Sequence, residues 1–326
     1  MNYRPYGRTG WNISEISFGA WAVGGTWGEV DDEESMAALH AAIDCGVNFI
    51  DTADVYGDGR SERLVARLRQ ERSETVYVAT KAGRRLDPHV AEGYTIKNLK
   101  GFIDRSRKNL EMDTLDLVQL HCPPTDVYYE PSVFEALEEL KAAGKIKHWG
   151  VSVARVEEGL KAIEYSGCQS VQIIFNVFRQ RPAALFLGEA LRRQVGVVAR
   201  LPLSSGMLTG KMTAKSTFEE GDHRQGNREG EWFDKGETFS GIPYEVGLDA
   251  VEKLRGLIGD ASMTEFALRW ILAHPGVTAA IPGGKRASQV EQNCAASGEP
   301  ALDSGVLAGV KSLYDSTVHA YVHDRW

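Results

Sequence analysis

Residues 96–121 read Ile96-Lys-Asn-Leu-Lys-Gly-Phe-Ile-Asp-Arg-Ser-Arg-Lys-Asn-Leu110, then Glu-Met-Asp-Thr, then Leu115-Asp-Leu-Val-Gln-Leu-His121. In the first run Leu99, Phe102, Ile103, Ser106 and Leu110 recur three or four positions apart, which is one face of a helix. The second run is short and mostly apolar, as a strand buried on both faces of a parallel sheet must be. A helix feeding a strand through a four-residue gap is half of a βαβ repeat.

The same alternation extends in both directions. Strand-type runs occur at 16–20, 47–51, 76–81, 115–121, 147–152, 170–175, 195–201 and 277–282. Helix-type runs fall between them at 35–45, 96–110, 132–143 and 156–164. Eight strand–helix units predict a closed (β/α)8 TIM barrel rather than an open doubly wound sheet. No G-x-G-x-x-G follows a strand and opens a helix, so a Rossmann dinucleotide site is not expected. Tyr3 to Ser14 read as an N-terminal β-hairpin, and residues 303–321 as a C-terminal helix. After the seventh strand a long polar stretch, 213–243, breaks the rhythm. Its Trp232, Phe233 and Phe239 favour a lid ordering over a ligand above a disordered linker. The expected organisation is one barrel domain over residues 1–326.

Composition narrows the function classes. With 43% hydrophobic residues the chain has ample material for a core, and its net charge of -8 argues against nonspecific nucleic-acid binding. The first ten residues are polar and include Arg4 and Arg8, unlike a signal peptide, and no run approaches the ~20 apolar residues of a membrane span. Cys45, Cys122, Cys168 and Cys294 are scattered and form no C-x-x-C pair, which disfavours structural zinc and a disulfide framework. A cytoplasmic protein with neither membrane nor nucleic-acid partner is expected, and no metal.

Function in a parallel barrel gathers at the C-terminal strand ends. The second strand ends in Asp51 and runs on to Tyr56, the third ends in Lys81 and the fourth in His121. A phenol titrates near ~10, too high for easy proton transfer at neutral pH, and a neighbouring Lys81 cation would lower that value. Asp51 would pair with Lys81 and offset the cost of burying its charge. His121 would hydrogen-bond a carbonyl oxygen. Together they suit protonation of an oxygen that gains negative charge as hydride arrives at its carbon. Taken singly, each has a plain structural alternative: a buried ion pair, a packing tyrosine, a turn histidine.

The run Phe49-Ile-Asp-Thr-Ala-Asp-Val-Tyr-Gly57 with Ser61-Glu62, the later Val78-Ala-Thr-Lys81 and Leu117-Val-Gln-Leu-His121 resemble the signature segments of aldo-keto reductases, in particular bacterial members related to potassium-channel β-subunits. The resemblance extends from the hairpin to Asn293. It implies Tyr56, Lys81, Asp51 and His121 as a catalytic tetrad, with metal-free hydride transfer between NADPH/NADP+ and a small aldehyde or ketone. It also implies a cofactor site. Ser152 and Gln172 would hold the nicotinamide carboxamide, although Val153 stands where the family has Asn. Arg200 takes the place of a stacking Tyr. Pro202, Leu203, Gly206, Leu208, Gly210 and Lys211 would form the pyrophosphate loop. Gly283, Lys285, Arg286, Gln289, Gln292 and Asn293 would form the adenosine-2′-phosphate segment, with Gln289 replacing the family's usual Arg and the helix starting near Ala287 aiming its N-terminus at the phosphate. Gly19 and Trp21 would lie against the cofactor. Trp21 and Trp27 would line the substrate pocket with Tyr56 and His121, and Tyr128 and Tyr129 are further candidates for its mouth. Two other functions remain open: a slow, cofactor-binding regulatory subunit on the same scaffold, and an aldolase with Lys81 as Schiff-base nucleophile.

Overall fold

A computed structural model describes residues 1–25 and 31–326 of the chain. Strands β1 (Tyr3–Pro5) and β2 (Asn12–Ser14) pair antiparallel as the expected hairpin. The barrel strands follow: β3 (Phe18–Gly19), β4 (Phe49–Asp51), β5 (Tyr77–Ala82), β6 (Leu115–His121), β7 (Ile146–Ser152), β8 (Cys168–Ile174), β9 (Gly196–Arg200) and β10 (Ala279–Ala280). Each is hydrogen-bonded in parallel to the next in sequence. Parallel bridges Ile16–Ala280 and Gly19–Gly283 join the last strand to the first, so the sheet closes into a (β/α)8 barrel. The two closing strands are shorter than the sequence runs predicted. There the pairing passes through isolated bridges, and Pro282 has no N–H to continue a ladder.

Helices α1 (Asp32–Asp44), α2 (Arg60–Glu71), α3 (Ile96–Leu110), α4 (Pro131–Ala142), α5 (Val156–Ala162) and α6 (Phe186–Arg192) wrap the first seven strands. The predicted helix at 96–110 is matched residue for residue. Its start is capped by Thr95 Oγ1, which accepts from Asn98 N–H, and its end turns left-handed at Glu111. Between β9 and β10 come α7 (His223–Gly226), α8 (Tyr244–Ile258) and α9 (Met263–Leu272). The chain then forms α10 (Ala287–Cys294), α11 (Ser304–Leu313) and, after a π-helical turn, α12 (His319–Val322), so the predicted C-terminal helix is a bent one.

Alternate residues of each strand enter the barrel, and this sets the site. The lower interior is apolar: Phe49, Ala79, Leu117, Val198 and Ala279 form one cluster, plugged from below by Tyr6 and Ile13 of the hairpin. Tyr6 meets Phe49 edge-on, with ring centres 5.3 Å apart. Two residues further along the same strands stand Asp51, Lys81, Gln119 and Arg200. The upper layer is therefore polar and sits at the C-terminal mouth.

Candidate active site

Tyr56 lies in the turn between β4 and α2. Gly57, at φ +59°, makes that turn possible, since a Cβ there would fall 2.1 Å from the carbonyl oxygen of Gly24. The turn delivers the Tyr56 hydroxyl to 3.3 Å from Lys81 Nζ. Lys81 Nζ also donates to Asp51 Oδ1 at 2.5 Å and to the Thr52 carbonyl at 2.9 Å. Gln172 Nε2 donates to Asp51 Oδ2 at 2.7 Å and to Gln119 Oε1 at 3.1 Å. The His121 ring stands edge-on to Tyr56, with centres 5.9 Å apart. The four residues expected to act together thus meet at one rim of the barrel.

Their protonation follows from burial and partners. Burial pushes the Tyr56 phenol above its usual value, and the Lys81 cation only partly pulls it back. The expected net lowering by Lys81 is therefore corrected: in this water-poor setting desolvation outweighs the charge, and Tyr56 is a neutral phenol. Burial alone would lower Lys81, but Asp51 and Tyr56 carry it above its usual value, so it stays an ammonium. Asp51 is pushed up by burial against the pull of Lys81. His121 is held well below the ordinary histidine range, first by burial and then by the Arg84, Lys81 and Arg200 cations, and is a neutral imidazole. Its Nδ1 is buried and has no hydrogen-bond partner among the described residues.

A cavity of about 710 Å³ opens from this cluster. Tyr56, His121 and Asp51 reach its wall, whereas Lys81 is sealed behind Tyr56 with 1% of its surface exposed. Of the cofactor candidates, Gly19, Trp21, Ser152, Gln172, Arg200, Pro202, Leu203, Gly206, Lys211, Gly283, Lys285, Gln289, Gln292 and Asn293 line it. Leu208, Gly210 and Arg286 do not. Leu208 is fully buried in the core, Gly210 accepts from Arg255 at 2.9 Å, and Arg286 extends outward to Glu34 at 3.3 Å. Gln289 Oε1 accepts from the backbone N–H of Lys285 at 2.8 Å and of Arg286 at 3.2 Å, so two amides at the start of α10 already have a partner. Asn176 serves the frame: its Nδ2 donates to the Leu201 carbonyl and to Ser240 Oγ. Tyr128 is fully buried and Tyr129 points to solvent, so neither forms the mouth. Trp27 lies outside the described residues.

Segment 213–243 packs across the opening. Phe218, His223, Arg224, Trp232, Phe233 and Glu237 all line the cavity. His223 and Phe233 meet Trp21, with ring centres 4.9 and 6.1 Å away. Two site residues escaped the sequence reading. Glu237 Oε1 accepts from Arg84 Nη2, and its Oε2 lies 3.1 Å from Arg200 Nη1. Burial would raise this carboxyl, but the two guanidiniums hold it down to about 2. Arg200 is further fixed by the Val153 carbonyl at 3.2 Å and Cys122 Sγ at 3.4 Å. No local motif marks Arg84 or Glu237, which are 153 positions apart.

The aldo/keto reductase family model matches residues 15–315, nearly the whole chain. The chain belongs to the aldo/keto reductase family. It is 31% identical over 299 residues to aldo-keto reductase YhdN of Bacillus subtilis, covering 89% of this chain and 87% of that one. It is 26% identical to an NADP(+) aldo-keto reductase, yakc, of Schizosaccharomyces pombe, covering 86% and 83%. Among solved structures, the glycerol dehydrogenase AKR11B4 of Gluconobacter oxydans superposes with a TM-score of 0.76 at 28% identity, covering 94% and 93%. Membership makes this chain an oxidoreductase. Among the described residues no helix is long and apolar enough to cross a membrane.

Proposed function

We propose that this aldo-keto reductase acts as a single catalytic unit over residues 1–326, in the cytoplasm, reducing small aldehydes or ketones with NADPH, or oxidising the corresponding alcohols with NADP+. The observation that carries the reading is the Tyr56 hydroxyl, 3.3 Å from a buried ammonium and open to the cavity. The residues present suit the cofactor. Polar side chains Ser152 and Gln172 stand at one end, and the cations Lys211 and Lys285 further along the same cavity wall. Left-handed backbone at Ser205 and Gly206 shapes the loop after β9, and both residues line the same cavity. Bound there, the cofactor would supply hydride at its nicotinamide ring.

Every other role falls to the chain. Tyr56, neutral at physiological pH, gives its proton to the carbonyl oxygen as negative charge develops there. Lys81 stabilises the phenolate left behind, and Asp51, itself held by Gln172, keeps Lys81 in place. His121, a neutral imidazole, orients the carbonyl oxygen by hydrogen bonding. Segment 213–243 covers the mouth, and the water it keeps out would otherwise weaken each of these interactions. Ser152 and Gln172 orient the carboxamide, and Lys285 meets the 2′-phosphate.

The test is consumption of NADPH with a panel of aldehydes and ketones. Turnover on carbonyl compounds that is lost in Tyr56→Phe is the expected result. Tight stoichiometric NADPH binding with no turnover on any carbonyl would favour the regulatory-subunit reading. A borohydride-trapped adduct on Lys81 would favour the aldolase one.

A further inference from the structure

The barrel mouth is divided by origin. The proposed cofactor residues come largely from the ends of β7 to β10, whereas Tyr56, Lys81 and His121 come from β4 to β6. Arg84 stands on the catalytic side, three residues beyond Lys81, and lines the same cavity as Tyr56 and His121. It bears on both: its charge helps keep His121 neutral and pulls the Tyr56 phenol downward.

Its charge is only partly answered. Arg84 and Arg200 share one carboxylate, Glu237, which stays ionised because its carboxyl is held down to about 2. Asp51 is committed to Lys81 at 2.5 Å. Among the described residues, the three cations Lys81, Arg84 and Arg200 meet two carboxylates there, Asp51 and Glu237. Arg200 spends Nη2 on Val153 and Cys122. Arg84 makes one hydrogen bond, through Nη2, and among the described residues its Nε and Nη1 have no partner. Its side chain nevertheless keeps 22% of its surface open. A guanidinium that lines a cavity and keeps unused N–H donors is suited to an oxyanion. One face of the guanidinium lies 5.9 Å over the Phe233 ring, so its polar contacts are made in its own plane.

Resting on the reductase reading above, we infer that this enzyme prefers carbonyl substrates that carry an oxyanion, a carboxylate or a phosphate, and that Arg84 is the residue that binds it. The anion accepts from an N–H donor of Arg84 that Glu237 leaves unused, while the carbonyl oxygen lies between Tyr56 and His121. A neutral aldehyde of the same length leaves those donors unpaired inside the cavity, and the discrimination comes from the difference.

The experiment compares kcat/KM for matched pairs: 4-oxobutanoate against butanal, and glyceraldehyde 3-phosphate against glyceraldehyde. The wild-type enzyme should favour at least one anionic member by about 10- to 100-fold, the range of a hydrogen bond to a charged group. The pair showing the larger ratio identifies carboxylate or phosphate as the recognised group. In Arg84→Gln that ratio should collapse towards one, and Arg84→Lys should retain part of it. Raising the ionic strength of the wild-type assay should lower kcat/KM for the anionic member only, which serves as a check independent of how the variants fold. Equal or better turnover of the neutral member of both pairs would overturn the inference while leaving the reductase assignment standing. A preference that survives unchanged in Arg84→Gln would remove Arg84 from the role. Failure to turn over any of the four compounds, or any other carbonyl, would instead sink the reductase reading itself.

Discussion

Replacing Lys81 by Met tests the centre of the mechanism, because it removes one charge from a buried triangle and leaves its shape nearly intact. At 3.3 Å, a unit cation interacts with a phenolate by roughly 5 kcal/mol at an effective dielectric constant of about 20. The Asp51 carboxylate, 2.5 Å from the same ammonium, cancels part of that field, leaving about 3–5 kcal/mol on the step that turns Tyr56 into phenolate. The expected loss in kcat is then roughly 10²- to 10⁴-fold. Stability suffers separately. Lys81 is 1% exposed and Asp51 2%, so the variant strands a carboxylate that, among the described residues, keeps the Gln172 hydrogen bond alone, at a cost of about 3–5 kcal/mol. The double variant D51N/K81M separates the two effects. An amide can be buried more cheaply than an unpaired charge, so urea melts should show the double variant to be more stable than K81M alone. Its kcat, measured by NADPH consumption at saturating carbonyl, should nevertheless stay as low, because no cation has returned. A K81M enzyme turning over within about threefold of wild type, or a double variant that regains activity, would refute the assignment of Lys81 to the phenolate.

Tyr56→Phe should lower kcat by roughly 10²- to 10⁴-fold while NADPH affinity, followed by fluorescence titration, changes little, since the hydroxyl contributes to proton transfer and not to cofactor contact. Lys285→Ala should weaken NADPH about 10-fold more than NADH in the same titration, and equal losses would take Lys285 off the 2′-phosphate. Glu237 sits near 2 in the folded chain against an ordinary value near ~4.3, so its clamp on Arg84 and Arg200 stabilises the fold fully above about pH 4.3 and is lost as pH falls towards 2. Glu237→Gln should therefore lower stability by about 3 kcal/mol at neutral pH, with the gap to wild type closing in urea melts taken between about pH 4 and pH 2. Because His121 is held well below the usual histidine range, kcat should show no inflection between about pH 6 and pH 8, and one near ~6.5 that vanishes in His121→Gln would contradict its neutral state.

Much of this was legible because barrel chemistry is written in short runs. Lys81 and His121 stand in strands whose apolar pattern marks both the element and its C-terminal end, and Asp51 ends β4, so locating the strands also located three members of the site. Tyr56 followed from its fixed offset within the same turn. What escaped depended on contacts across long chain separations or on the balance of opposing energies. The direction of the Tyr56 shift could not be read from a neighbouring lysine alone, because the desolvation that overrides it exists only once the folded chain brings Trp21 and His121 against the ring. Gln289 stands where the family has Arg; it lines the cavity, and its side chain also turns back onto the amide of Lys285, a contact that no sequence motif announces.

Segment 213–243 shows why composition alone undersells a long loop. Its polar and glycine-rich character fits a linker, yet it is tied down along its length. Asn227 Oδ1 accepts from the backbone N–H groups of Trp232 and Phe233 at 2.8 and 2.9 Å. Asp234 Oδ1 accepts from the indole of Trp326, at the far end of the chain, at 2.8 Å. The guanidinium of Arg179 lies 4.1 Å over that indole. These ties carry Glu237 to the place where Arg84 and Arg200 converge. Two guanidiniums facing one cavity would repel each other without Glu237 between them, so the covering segment supplies the counter-charge of the mouth. The charge that Glu237 leaves unanswered is what sets the substrate preference inferred for Arg84, and the lid and the specificity of the pocket are therefore one device.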